Sequence, residues 1–297
     1  MFNVLAGSLS SAIMQQDQFE LHCDIEQRHW WFVARRQILG SVVRQLVPAD
    51  HRPDRQATII DVGCGTGANV AMLANDYHSV GIDTSAEAIR MAAERFPQVD
   101  FRAGFAPDDL GDCIGQAELV MLNDVLEHVP DDFCLLSSIL AAMKPGAYCL
   151  ITVPADLRLW SPHDESFGHY RRYDLPRLQR VWADLPVETV MTSYFNTRLY
   201  PVIRLLRAWN RRRGQAGGRA GTDFEIPSRH VNALLTRLFA GERHRLLNLL
   251  SGSSTHGYRA GVSLVAVLQR REGPVEIQGK PADVAADYFD PVGIGRA

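Results

Sequence analysis

Several common signatures are missing from this 297-residue chain, and each absence narrows what it can be. No run approaches 18 consecutive apolar residues, which excludes a membrane-spanning helix. The opening stretch "MFNVLAGSLSSAIMQQDQ" has no basic n-region and only a broken apolar segment, so no secretory leader is expected and the expected location is cytoplasmic. No charge of one sign dominates: the net charge is −3, which gives no global argument for nucleic acid or membrane as partner. The five cysteines, Cys23, Cys64, Cys113, Cys134 and Cys149, are scattered without a C-x-x-C pair. That fits reduced thiols and argues against a disulfide framework or structural zinc. Internal repeats are missing too, which excludes a solenoid.

What is present is an alternation of strand and helix patterns from Thr58 onward. Strands are predicted over 58–63, 78–83, 99–106, 117–124 and 147–155, with helices over 68–76, 85–96 and 131–143 between them. Ser85 is the expected N-cap of its helix, which Pro97 stops. Such alternation predicts a parallel sheet with right-handed crossovers and helices on both faces. An earlier helix is predicted over 25–39, with Arg28, Trp31, Arg35 and Leu39 on one face.

Two more strands are predicted over 187–195 and 261–269, making seven. The stretch between them is too long for a hairpin, so an inserted helical subdomain is the economical reading. The expected organisation is an N-terminal extension over 1–24, a core over 25–195, a helical insertion over 196–260, a last core strand over 261–270 and a flexible tail over 271–297. Charge is concentrated in the insertion. From Asn196 to Arg245 there are 11 arginines and no lysine against three acids, a net +8.

The informative stretch is "IIDVGCGTGANVAML" (59–73), a strand, a glycine turn and a helix start, which is a natural place for a nucleotide. Gly63, Gly65 and Ala68 satisfy the dinucleotide pattern, and Asp83 lies at the distance expected of a ribose-binding carboxylate. These features fit NAD and S-adenosylmethionine equally. Asp61, two residues before Gly63, suits a ligand carrying a cationic amine or sulfonium and is awkward beside pyrophosphate. Gly67 adds a third glycine that lets the backbone approach a compact amino-acid moiety.

Taken in order, "DVGCGTG", "GIDTS", "LNDVLEHVPDD" and "MKPGAYCLITVP" resemble the class I S-adenosylmethionine-dependent methyltransferases over residues 25–195. The resemblance implies a Rossmann-like α/β fold, a seven-stranded mostly parallel sheet with helices on both faces, to which an inserted helical lid subdomain is expected to be added. It implies that Asp61, Gly63, Gly65 and Gly67 cradle the methionine part of the donor and that Asp83 binds both ribose hydroxyls. Asn123 and Asp124 follow the fourth strand at the same crevice. Where many relatives have an acid near the end of the third strand, this chain offers Phe105, with Asp109 or a backbone contact as substitute. The helix "HWWFVARR" (29–36) is expected to close over the donor with Trp31 and Arg35 on its inner face.

Methyl transfer to a hydroxyl or amine needs a base near neutral pH, and histidine is the natural one. His128 is a base or a loop-positioning residue, and its neighbour Glu127 reads as a helix-start acid. The loop "SPHDESFGHYRRYD" (161–174) gathers His163 and His169 as further base candidates, with Asp164, Tyr170, Arg171 and Arg172 as acceptor-binding residues. A subgroup of bacterial small-molecule methyltransferases carries a similar "GH-x-RRY" segment and a similar "WWF-x-ARR" helix. With no second ligand cluster visible, no metal is expected.

The Arg-rich helices read as packing elements with solvated arginines, as a lid over a hydrophobic acceptor, or as a homodimer interface. Membrane contact is not favoured, and nucleic acid is disfavoured because the basic patch lacks interleaved aromatics beyond Trp209. The sequence therefore predicts transfer of a methyl group from S-adenosylmethionine to an oxygen, ahead of a nitrogen, of a small-molecule acceptor. The rivals are methylation of a lipid or glycolipid precursor at a membrane surface, an NAD-dependent oxidoreductase, and a donor-binding scaffold without turnover.

Overall fold

A computed structural model describes Cys23, residues 25–50, 56–212 and 226–277, and Gly279. The N-terminal extension up to residue 22, the centre of the Arg-rich insertion and most of the tail lie outside the described residues.

All seven predicted strands are present: β1 (Thr58–Val62), β2 (His78–Asp83), β3 (Asp100–Ala103), β4 (Leu119–Asn123), β5 (Tyr148–Pro154), β6 (Val187–Phe195) and β7 (Ser263–Arg270). They form one sheet in the order β3-β2-β1-β4-β5-β7-β6. β1 to β5 pair in parallel, and β7 runs antiparallel to β5 and β6. Strand period sends neighbouring side chains to opposite faces. Ile59, Leu119 and Met121 join one apolar layer, while Ile60, Val120 and Leu122 join the other. Burial on both faces is why these strands read as continuous apolar runs rather than alternating ones.

The helices follow the predicted caps. α3 (Ala86–Arg95) starts where the Ser85 hydroxyl accepts from the Ala88 N–H at 3.2 Å, and α5 (Asp132–Ala142) starts with Asp131 accepting from the Cys134 N–H at 2.9 Å. The helix predicted over 25–39 begins later. α1 spans Trp30–Leu46, because His29 caps it by accepting from the Trp31 N–H at 3.3 Å. The helix predicted over 68–76 is only one turn, α2 (Ala68–Ala71), followed by turns. A short α4 (Asp112–Gln116) precedes β4, and α6 (Pro162–Ser166) and α7 (Leu175–Arg180) follow β5.

The insertion between β6 and β7 holds α8 (Tyr200–Arg212), α9 (Arg229–Ala240) and α10 (Arg243–Leu250). The amphipathic stretch 228–250 of the insertion is split at Gly241 and Glu242. The fully buried Glu242 carboxylate turns back to accept from the Thr197 and Arg198 N–H groups at 2.9 and 2.8 Å. α9 and α10 belong to the core: Phe239 and Leu246 are buried, and Asn232 Oδ1 accepts from the Trp30 N–H at 2.9 Å. α8 differs. Val202, Leu205, Leu206 and Trp209, spaced along one helical face, are all more than half exposed. No helix among the described residues is long and apolar enough to cross a membrane.

The strand order reverses between β1 and β4, and in open α/β sheets ligands bind beyond the C-terminal strand ends at that point. The cavity described next lies there.

Candidate active site

A cavity of about 460 Å³ opens over the C-terminal ends of β1, β4, β5 and β6, within the size range of small-molecule sites. One end is built by the glycine turn and α1, the other by the segments after β4, β5 and β6.

At the first end, Gly63, Cys64, Gly65 and Thr66 form the floor, with Asn123 and Asp124 beside them. Gly65 has φ +52, and a Cβ built there would meet nothing within 4 Å, so its backbone faces open space. Gly67 has φ +85, and a Cβ there would stand 2.5 Å from Phe101 Cζ, so this position requires glycine both sterically and conformationally. Asp83 accepts from the Gly65 N–H at 2.8 Å and from the Ser85 N–H at 2.9 Å, tying the end of β2 to the turn.

Asp61 lies beneath this floor, almost fully buried. Its Oδ1 accepts from Asn123 Nδ2 at 3.0 Å, and its Oδ2 is buried without a hydrogen-bond partner. Burial pushes its carboxyl up to about 7, against the lowering effect of Asn123 and Arg35. A buried carboxylate oxygen with nothing to bind is what a cationic amine in the cradle would satisfy, so these residues fit the methionine end of the donor. One expected outcome follows. An ammonium favours ionised Asp61, so affinity for S-adenosylhomocysteine should rise as pH rises through about 7 and level off above it. Calorimetry across pH 6 to 8.5 checks this, and Asp61→Asn should remove the slope.

α1 borders this part of the cavity. Trp31 and Arg35 both line the cavity, with the Arg35 guanidinium 5.1 Å from the Trp31 ring centroid. Arg35 Nη2 pairs with Asp124 Oδ2 at 2.8 Å and donates to Thr152 Oγ1 at 2.6 Å. Asp124 holds φ 57, a region that Asp and Asn tolerate better than most residues. Trp30 also lines the cavity, with its ring edge-on to the buried Phe239 at 6.2 Å. Phe105 does not join them. It is 70% exposed, and its N–H donates to Asp109 Oδ2 at 2.7 Å, so the pair orders its own loop away from the cavity.

The second end is lined by Glu127, His128, His163, Phe167, His169, Arg172, Asn196, Ile203, Leu206 and Arg207, among others. All three predicted histidines arrive there. His169 Nδ1 lies 3.0 Å from Asp164 Oδ1, and its ring stands edge-on to His128 at 4.6 Å. His128 keeps an exposed surface, and its imidazole is lowered from the ordinary value, first by partial removal from water and then by the neighbouring His169. Asp164 is fully buried and is not an acceptor contact. It receives His169, Arg172 Nε at 2.8 Å and the Ser161 N–H at 2.9 Å. Burial alone would raise Asp164, yet these donors outweigh it and hold the carboxyl below the usual carboxylate range.

Three further predicted contacts are corrected. Arg171 is buried and donates to the carbonyls of Leu126, Val129 and Pro130 at 2.7 to 2.9 Å, so it braces the segment carrying His128. Tyr170 is exposed and does not line the cavity. Arg172 does line it, but through a guanidinium already engaged by Asp164 and by the Ala155 carbonyl at 2.9 Å.

Two residues were missed. Glu127 does stand in the first turn of a short helix, but as a buried group on the cavity wall. It lies in the 3-10 turn Leu126–His128, fully buried, with neither oxygen hydrogen-bonded to another residue, and burial raises its carboxyl well above normal. Asn196, at φ 54 just past β6, is fully buried with both side-chain amide atoms unpartnered and lines the cavity. Its only sequence signal is an Asn directly after a strand.

The sequence profile of the family described as "Methyltransferase domain" matches residues 31–198. Trans-aconitate 2-methyltransferase of Azoarcus sp. (strain BH72) is 35% identical over 185 residues, covering 58% of this chain and 67% of that protein. Phosphoethanolamine N-methyltransferase 2 of Caenorhabditis elegans is 30% identical over 163 residues, covering 51% of this chain and 36% of the relative. The chain spans only 39% of the trans-aconitate 2-methyltransferase of Variovorax paradoxus (strain S110). Among solved structures, the plantazolicin methyltransferase BpumL, in complex with a monoazolic desmethylPZN analog and SAH, superposes with a TM-score of 0.51. The identity is 11%, over 90% of this chain and 92% of that one, a likeness of fold. The dinucleotide oxidoreductase reading of the glycine turn ends with these matches. More than half of the chain lies within the family match, and the chain belongs to the class I S-adenosylmethionine-dependent methyltransferases.

Proposed function

We propose that this enzyme methylates an oxygen atom of a small acidic acceptor bound at the histidine end of the cavity. One observation carries the reading. The glycine turn that follows Asp61, and the Asp164-held His169, line the same cavity. S-adenosylmethionine supplies an electrophilic methyl group on its sulfonium. The protein's part is to align acceptor and donor and to exclude water. Asp61 and Asn123 hold the methionine end, Asp83 takes the ribose, and Trp31 and Arg35 cover them.

At the other end Asp164 accepts a hydrogen bond from the His169 Nδ1–H, which leaves Nε2 with a lone pair for the acceptor oxygen. The unpartnered Asn196 amide suits an acid group, and Ile203, Leu206 and Phe167 suit its carbon frame, while Arg207 donates to the Leu159 carbonyl at the cavity wall. Relatives named for trans-aconitate support an acid as acceptor. The test is transfer of labelled methyl from the donor to a panel of small carboxylic and hydroxy acids, trans-aconitate included. An O-methyl product, ester or ether, is expected. Exclusive N-methylation in an amine panel would overturn the reading.

A second reading, an acceptor presented by a membrane surface, is favoured by the exposed stripe Val202, Leu205 and Trp209 on the helix that also carries the cavity-lining Leu206. It requires that turnover depend on added lipid vesicles, whereas a small soluble acid requires none.

A further inference from the structure

We propose that Glu127, His128 and His169 form a divalent-cation site at the acceptor end of the cavity. One ligand atom from each lies within 4.8 Å of the others. The residues come from two separate segments, the 3-10 turn after β4 and the loop after α6, so no local motif announces them.

Two observations beyond the clustering point to a ligand. Glu127 is fully buried on the cavity wall, and neither of its oxygens is hydrogen-bonded to another residue. A buried carboxylate is ordinarily paired, hydrogen-bonded or bound to a metal; Glu127 has no hydrogen-bond partner beyond its own backbone, and Arg35 and Arg172 act on it only through space. Both imidazoles, in addition, already have an outer partner. His169 Nδ1 is held by Asp164 Oδ1 at 3.0 Å, and the His128 ring is hydrogen-bonded to the Phe167 backbone. Metal-binding histidines are fixed in this way, by a carboxylate or carbonyl on the nitrogen that does not bind the metal. The nearby cation, Arg172, is directed to Asp164 and the Ala155 carbonyl.

Two imidazoles and one carboxylate suit Mn²⁺, Fe²⁺, Co²⁺ or Zn²⁺ better than the all-oxygen sites of Ca²⁺ or Mg²⁺. Three protein ligands leave coordination positions for water or an acceptor oxygen, as in catalytic rather than structural sites. The use of the cation in the reaction rests on the proposed O-methylation; its binding does not. A cation here lowers the pKa of an acceptor hydroxyl, whose proton leaves to solvent. The oxygen then forms its bond to the methyl carbon as the carbon–sulfur bond breaks, releasing neutral S-adenosylhomocysteine. His169 remains essential, acting through the metal instead of by direct proton transfer.

The test is titration of the full-length, chelator-stripped protein with CoCl₂, read by visible d–d absorption, with S-adenosylhomocysteine calorimetry in parallel. One Co²⁺ per chain is expected, with Kd below about 100 μM. Glu127→Gln, close in size to glutamate, should weaken it at least about tenfold, and the pair His128→Ala with His169→Ala should abolish the spectrum. Unchanged S-adenosylhomocysteine affinity in each variant certifies the fold and keeps this test separate from the methyl-transfer reading. Absence of Co²⁺ binding in the wild type, or equal binding in all the variants, would overturn the proposal.

Discussion

Replacing Asp83 with alanine is expected to weaken S-adenosylhomocysteine binding about 10²-fold. The Asp83 carboxylate holds the Gly65 N–H at 2.8 Å and the Ser85 N–H at 2.9 Å, so the turn and the start of α3 depend on one side chain. The family resemblance adds two ribose hydroxyls to the same oxygens. Each hydrogen bond to a charged group contributes about 1.5–3 kcal/mol, and 1.4 kcal/mol is tenfold in affinity, so losing the ribose contacts alone accounts for the change. Asp83→Asn keeps the size and one acceptor oxygen but loses the charge, and should fall between wild type and alanine. Calorimetry on both variants checks the order. An alanine variant within threefold of wild type would remove the ribose assignment.

Replacing His169 with alanine should leave S-adenosylhomocysteine affinity almost untouched and lower kcat by about 10²-fold or more, the ordinary worth of a group that handles the acceptor proton. The reason is geometric. His169 reaches the cavity from the loop after α6 and not from the glycine turn, and its ring is held by Asp164, itself anchored by Arg172 and the Ser161 N–H. Asp164→Asn should therefore also lower kcat, with part of the loss appearing as instability because Arg172 loses its buried partner. Methyl transfer at wild-type rate in His169→Ala would mean that neither proton transfer nor a cation at this histidine serves the acceptor oxygen.

The sheet was legible because its signal is local. Strands buried on both faces are written as apolar runs such as "TIID" and "LVML", and their order along the chain already implied parallel pairing. The glycine turn was legible for a similar reason: the glycines and the Asp83 contact to the Gly65 N–H are set by backbone geometry close to their own positions. The acceptor end was only half legible. The three histidines could be assigned to it, but not their partners, since which carboxyl meets which ring depends on how two distant segments pack.

Asp164, Arg171 and Arg172 share one loop with His169, and charge pattern alone does not tell a buried brace from an acceptor contact. Glu127 looked like a helix-start acid because helix-start acids are common; its burial is a property of the turn it sits in. The split of the 228–250 stretch likewise comes from a tertiary contact, Glu242 with the Thr197 and Arg198 amides, that helical periodicity cannot contain.

The measurement that bears most directly on the central claim, one cavity with a donor end and an acceptor end, is a co-crystal structure with S-adenosylhomocysteine. The account predicts the methionine ammonium beside Asp61 and Asn123, the ribose on Asp83, and the sulfur facing His169 across the cavity. A ligand bound with its adenosine among the histidines, or outside the cavity altogether, would contradict it.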